Sequence, residues 1–208
     1  ERSYVDTSGP YANSLGGHKY WFKIIDDYSR KTWNYFMKEK SDVPGMLDNF
    51  LQEMKMKKVI VKYIRCDNAG EHSRDFKAVC LQHNIQLEFV APSTPQHNGV
   101  VEKSFTTDLW RLKAMMRQAK FTQGAKNKLW PYGIKILERL HNMSMTTANR
   151  NNLSPDAMFG EINTNIAGHL IQFGRIGYVT DRTKIKGKMK PRSYKGIMVG
   201  YAENHSPD

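Results

Sequence analysis

Three carboxylates in this chain sit where acidic side chains can do chemistry. Asp6 ends a short run, Ser3–Asp6, that reads as a strand; Asp67 follows a second such run; and Glu102 opens an amphipathic stretch after a loop. In a mixed sheet, neighbouring strand ends and a helix start can converge on one spot. Three carboxylates there would repel one another unless cations lay between them. Oxygen donors suit hard ions such as Mg²⁺, which takes one or two carboxylates and keeps waters. Two such ions can activate a nucleophile and stabilise a leaving oxygen in an in-line displacement at phosphorus. The plainer alternative also stands at this point: acids at strand ends and helix starts are ordinary turn and cap residues.

The elements that would position them follow from hydrophobic period. Lys19–Ile25 and Lys31–Met37 are rich in aromatic and β-branched residues and read as strands, with a turn at Asp26-Asp27-Tyr28-Ser29 between them. With the first run they form an antiparallel meander. Val43, Met46, Leu47, Phe50, Leu51 and Met54 recur at helical steps, with Ser41 as the expected N-cap. Val59–Arg65 returns to a strand and ends at Cys66-Asp67. A helix over roughly 74–83 and a strand from Gln86 to Val90 come next. Beyond the loop at 91–99, Val101, Phe105, Leu109, Leu112 and Met116 form a second helical stripe, and a further helix is expected over roughly 126–148. Strands first and alternating helices later predict an α/β fold with a mixed sheet covered on its faces. An RNase H-like layout has this order, as do other α/β layouts.

The 208 residues suit one domain, or one domain with a small appendage. With 39% hydrophobic and 25% charged residues, the chain reads as globular, and no apolar stretch reaches the length of a membrane span. It has neither a signal-peptide pattern nor an initiator methionine, so we expect a fragment or processed piece of something longer. The formal charge of +12 favours a polyanionic partner, nucleic acid ahead of anionic membrane. Cys66 and Cys80 form no metal or redox spacing and read as buried reduced thiols. From Arg175 to Lys195 basic residues crowd together, flanked by the apolar runs Leu170–Phe173, Ile176–Val179 and Ile197–Tyr201, which could pair as a small β module.

Several runs, in order, resemble integrases of copia-type retrotransposons. They are Asp6-Thr7-Ser8-Gly9-Pro10, Asp26-Asp27-Tyr28-Ser29-Arg30, Asp67-Asn68-Ala69-Gly70-Glu71, and Pro95-Gln96-His97-Asn98-Gly99-Val100-Val101-Glu102-Lys103. Glu102 lies 35 residues beyond Asp67, close to that family's spacing. The resemblance continues through Leu129-Trp130, Asn142, the run from Ser154 to Gly160, Phe173-Gly174 and Val199-Gly200-Tyr201, and so covers nearly the whole chain. Ala69 stands where the family usually has glycine, and Lys103 where arginine is usual.

The resemblance implies an RNase H-like catalytic core over 1–160, with a mixed five-stranded sheet flanked by helices. A basic, SH3-like β module, whole or truncated, would follow over 161–208. It implies Asp6, Asp67 and Glu102 as catalytic residues and ligands of two Mg²⁺ or Mn²⁺ ions. Two reactions would share the site: cleavage by water near the 3′ end of the element's DNA, then attack of the new 3′ hydroxyl on target DNA. Element ends and target DNA are the implied partners, with at least a homodimer, no membrane and no nucleotide cofactor. The implied compartment is the nucleus, reached through a cytoplasmic virus-like particle. The family's zinc-binding N-terminal domain is not in this stretch, which bears on assembly.

Neighbouring residues have both a functional and a plain reading. Asp26 and Asp27 read as hairpin-turn residues, and Glu71 as a turn residue or a support to Asp67. His97 is either a DNA or proton-transfer contact or a solvated loop residue. Gln96, Asn98 and Gly99 could form a mobile gate over DNA or a plain loop. Lys103 and Lys113 are candidate phosphate contacts, with Arg111 and Arg117 weaker ones. Lys184, Lys186, Lys188 and Lys190 are expected to meet nucleic-acid backbone. Trp21, Trp33, Trp110 and Trp130 read as core aromatics. The rival functions are an element-derived binding protein that has lost catalysis and an RNase H-like nuclease acting on RNA–DNA hybrids.

Overall fold

The structure is a computed structural model; it describes residues 2–67, 74–89, 99–161, 170–180 and 193–201. The elements are β1 (Arg2–Ser8), β2 (Tyr20–Asp26), β3 (Thr32–Met37), α1 (Val43–Met56), β4 (Tyr63–Cys66), α2 (Arg74–Gln82), β5 (Gln86–Phe89), α3 (Gly99–Gln118), α4 (Gln123–Met143), α5 (Pro155–Phe159), β6 (Ile176–Thr180) and β7 (Ser193–Ile197). The first five strands form one mixed sheet in the order β3-β2-β1-β4-β5. β1, β2 and β3 are antiparallel neighbours, and β4 lies parallel to both β1 and β5.

Alternation along the strands separates two cores. Val5, Phe22 and Ile24 face α1 and α2, packing against Leu47, Phe50, Met54 and Phe76. Tyr4, Trp21 and Ile25 face the other way, against Val101, Phe105, Leu112, Trp130, Ile134 and Leu137 of α3 and α4. The result is three layers with the sheet in the middle. Phe173 joins the second core, packing against residues of α3 and α4. Cys66 and Cys80 are free and buried, and burial pushes the Cys80 thiol up to about 12, which keeps it inert.

α4 also closes the sheet's β3 edge. The Asn142 amide accepts the Thr32 backbone N–H at 2.9 Å and donates to the Thr32 carbonyl at 2.8 Å. One turn earlier, the Glu138 carboxylate accepts the Asn34 backbone N–H at 2.9 Å. Two side chains at i,i+4 on a helix thus take the place of a sixth strand. The turn after β2 is likewise structural. Asp26 accepts from both the backbone N–H and the hydroxyl of Ser29, and Lys31 donates to Asp156 at 2.6 Å. Asp156 sits in α5, a five-residue helix capped by Ser154, opened by Pro155 and closed by Gly160 at φ +88°. The run from Ser154 to Gly160 is therefore a docking helix for the β2–β3 turn.

Several expectations are corrected. Residues 40–42 form a 3₁₀ turn, so Ser41 does not cap α1; Asp42 precedes the helix and accepts the Lys38 and Glu39 N–H groups. β4 starts at Tyr63 rather than Val59, because its neighbours β1 and β5 first pair there. α4 spans Gln123–Met143 rather than 126–148. In the α3 stripe the buried position is Asp108, with Leu109 only half-buried. Leu170–Phe173 forms no strand, and the last strand is Ser193–Ile197 rather than Ile197–Tyr201, because its partner begins only after the turn at Gly174. Trp21, Trp33 and Trp130 are core residues as expected, but Trp110 is 68% exposed. No described helix is long and apolar enough to cross a membrane.

Candidate active site

Asp6 and Asp67 are brought together by strand register. β1 and β4 run parallel, with Arg2 opposite Tyr63, Ser3 opposite Ile64 and Tyr4 opposite Arg65. The same offset carried two residues further sets Asp67, just past the end of β4, beside Asp6. Both then share the face that carries Tyr4, the face covered by α3. Glu102 lies exposed in the first turn of α3.

Electrostatics ties the three together. The Asp6 carboxyl is pushed up to about 6, first by burial and then by the charges of Asp67 and Glu102. The Thr7 backbone N–H, 2.7 Å from Asp6 Oδ1, pulls the other way, and Lys40 offsets part of the repulsion. Yet among the described residues no three His, Cys, Asp or Glu side chains stand close enough to form a finished ion cage. The two observations measure different distances. Carboxylates shift one another across about 4–6 Å, whereas Mg²⁺ ligation needs oxygens at about 2 Å. The donor set fits a hard divalent cation: all-oxygen and mutually repelling, with the charges of Asp67 and Glu102 adding to the rise that burial imposes on Asp6.

Lys23, which the sequence reading passed over, organises this region. It stands opposite Asp6 in the β1–β2 ladder and is fully buried. Its ammonium donates to Asp108 Oδ2 at 2.6 Å and to Ser104 Oγ at 2.8 Å, both on α3. It also lies 4.5 Å from the Trp21 ring centroid and 4.9 Å from that of Phe105. This clamp fixes the helix that carries Glu102 against the strand pair that carries Asp6. The signal was present: one lysine inside the apolar run Tyr20–Ile25, and one aspartate in the apolar seat of α3.

Lys103 and Lys113 are exposed on α3, where a long ligand could reach them from Glu102. Gln96, Asn98, Lys184, Lys186, Lys188 and Lys190, like His97 and Glu71, lie outside the described residues. A cavity of about 680 Å³ lies elsewhere, at the β3 edge, lined by Lys31, Trp33, Glu138 and Arg139 among others and touching none of the three carboxylates. Of the three, Glu102 is exposed while Asp6 and Asp67 are half-buried.

No family model matches the chain. It is 31% identical over 204 residues, 96% of its length, to the retrovirus-related Pol polyprotein from transposon TNT 1-94 of Nicotiana tabacum. It is 24% identical to the corresponding polyproteins from transposons RE2 and RE1 of Arabidopsis thaliana, in each case over 99% of its length. The chain is a homologue of a segment of transposon Pol polyproteins. This Pol-related chain spans only 14–15% of the length of those relatives. Among solved structures it superposes on a chain of the simian T-cell lymphotropic virus intasome in complex with the PP2A regulatory subunit B56 gamma. The TM-score is 0.59 at 13% identity, covering 95% of this chain and 67% of that one. The likeness establishes the fold: the Pol-related chain has the RNase H-like layout.

Proposed function

We propose that this chain is the catalytic core of a DDE-type integrase, a metal-dependent polynucleotidyl transferase and endonuclease. Asp6, Asp67 and Glu102 would hold two Mg²⁺ or Mn²⁺ ions. The observation that carries the reading is the β1–β4 register, which extended by two residues brings Asp67 beside Asp6, a carboxyl raised first by burial and further by the charges of Asp67 and Glu102. When bound, the ions would supply Lewis acidity and neutralise charge gathering at phosphorus. The chain's own part is to orient. β1 and β4 hold two carboxylates side by side, the Lys23–Asp108 clamp holds the helix bearing the third, and Lys103 and Lys113 would meet backbone phosphates.

In this reading the site cleaves near the 3′ end of the element's DNA and then joins the new 3′ hydroxyl to target DNA. Neither step needs a nucleotide cofactor, since one phosphodiester replaces another. DNA is the partner, copies of the chain assemble on paired ends, and the work is done in the nucleus after passage through a virus-like particle. Residues 161–208 would form an SH3-like module, to which β6 and β7 contribute, with Lys184, Lys186, Lys188 and Lys190 on nucleic-acid backbone.

The test is resolution of a branched DNA that mimics the integration product, the reverse of strand transfer, with Mg²⁺ or Mn²⁺ and with EDTA. Resolution that needs the metal and is lost in Glu102→Gln supports the reading. Salt-sensitive DNA binding without resolution would instead make the chain a nucleic-acid-binding protein without catalysis. Cleavage confined to RNA–DNA hybrids would make it a nuclease.

A further inference from the structure

Trp110 has the wrong surroundings for a residue at rest on a surface. Its ring is 68% exposed on α3, while the other three tryptophans are at most 7% exposed. Glu102, Thr106, Trp110, Lys113 and Arg117 recur at three- and four-residue steps, and all are exposed, so they form one stripe along the helix. The Lys113 ammonium lies 5.3 Å from the Trp110 ring centroid. The exposed charges further along the helix, Arg111, Lys113 and Arg117, are all positive; Asp108, the other acid of α3, is buried and held by Lys23. Protein–protein interfaces are depleted in lysine and keep charges away from the core of the patch. A lone aromatic ring among cations matches instead the chemistry of a nucleic-acid strand, with bases to stack and phosphates to neutralise.

Distance specifies the position. Eight residues of helix separate Glu102 from Trp110, about 12 Å at 1.5 Å per residue. That is about three to four base-pair steps of duplex at 3.4 Å each. Internal base pairs keep their faces inside the stack, so away from a duplex end only an unpaired base can lie flat on the ring. We infer that Trp110 is a stacking platform for an unpaired DNA base about three to four nucleotides from the phosphodiester held at the three carboxylates, with Lys113 and Arg117 on the backbone beside it. This deepens the integrase reading and rests on it. It gives the site a preference for frayed or branched DNA over closed duplex.

The probes are a blunt duplex and the same duplex ending in four unpaired nucleotides, with 2-aminopurine in the unpaired stretch to report stacking. Binding is measured by anisotropy at two salt concentrations. Wild type binds the frayed end more tightly and quenches its 2-aminopurine. Trp110→Ala loses about tenfold or more on the frayed end, in the range that base–aromatic stacking supports. It loses little on the blunt duplex and keeps the wild-type salt slope. Trp110→Tyr, which keeps a ring, retains most of the preference. Lys113→Gln weakens both DNAs alike.

Equal loss on both DNAs in Trp110→Ala, or no loss on either, overturns the inference, as does a loss of self-association with DNA binding unchanged. If wild type resolves branched DNA while Trp110→Ala keeps its frayed-end preference, the stacking inference falls alone. If wild type binds neither DNA, the integrase reading falls and takes it along.

Discussion

Lys23 stands opposite Asp6 across the β1–β2 ladder, and its buried ammonium is held by Asp108 of α3 at 2.6 Å. A charge inside the core is stable only while its partner is present. Asp108→Ala leaves the ammonium buried and unpaired, and should cost about 3–5 kcal/mol in urea unfolding. Replacing both partners by apolar residues, Lys23→Met with Asp108→Leu, should recover most of that loss. If the double variant is as unstable as the single one, the clamp is not the source of the effect.

Burial lowers the Lys23 pKa below its ordinary 10.5, with Asp108 working in the opposite direction. The folded state therefore binds fewer protons than the unfolded one between the two values, and stability rises with pH across that window. Without Asp108 the folded value drops further, so the rise in Asp108→Ala should begin at lower pH. Thermal unfolding from pH 7 to 10 would show the difference between variant and wild type. Parallel profiles would count against a charged lysine at this place.

Acid should act through a different residue. Glu88 of β5 accepts from Arg2 of β1 at 2.9 Å and from Arg65 of β4 at 2.7 Å, and these guanidinium groups, Arg2 foremost, hold its carboxyl below the usual range. Its contribution is present above the ordinary carboxylate value of 4.5 and is lost as pH falls through the folded value. At a partly exposed site this is worth about 1 kcal/mol or less. Glu88→Gln should remove that part of the acid-side slope in a pH series of unfolding curves while leaving the alkaline side unchanged.

Divalent cations should stabilise the fold apart from any reaction. An ion that binds only the native state at a hundred times its dissociation constant adds about 2.7 kcal/mol, or several degrees in Tm for a chain of this size. Mg²⁺ or Mn²⁺ should produce such a shift in wild type, and Asp6→Asn and Glu102→Gln should lose it. An undiminished shift in both variants would locate the ions elsewhere.

Lys103 and Lys113 yield a prediction in salt dependence. If each neutralises one phosphate, changing either to glutamine should make the slope of log affinity against log salt shallower by about one and weaken all sequences alike. A variant that loses affinity with the wild-type slope intact would assign that lysine a role other than phosphate contact.

The order of strands and helices could be read in the sequence, because period and turn chemistry are local. Asp67 does follow β4 and Glu102 does lie in the first turn of α3, but Asp6 does not end its strand: β1 pairs with β2 as far as Ser8, two residues beyond it. What could not be read depended on partners distant in the chain. Lys23 and Asp108 each look like an error in an apolar run until they are seen facing each other 85 positions apart. Trp110 reads as a core residue in sequence because tryptophan usually is one; its place on the stripe with Glu102 and Lys113 is a matter of helix phase, which a stripe counted through Leu109 obscures. Ser41 failed as a cap because the chain tightens into a 3₁₀ turn before α1, a choice governed by Asp42 and the end of β3.

The Asn142 and Glu138 contacts to β3 bear on how copies of this molecule can meet. A bare strand edge invites a second molecule to add its own strand and continue the ladder, which is also how native proteins start to aggregate. Here the outward-facing groups of Thr32 and the N–H of Asn34 already have partners from the molecule's own helix. A neighbour offering a strand at this border would first have to displace them. Any association of copies is thereby steered away from sheet-to-sheet growth along β3 and toward contacts made by side chains, which are more readily undone than a shared ladder.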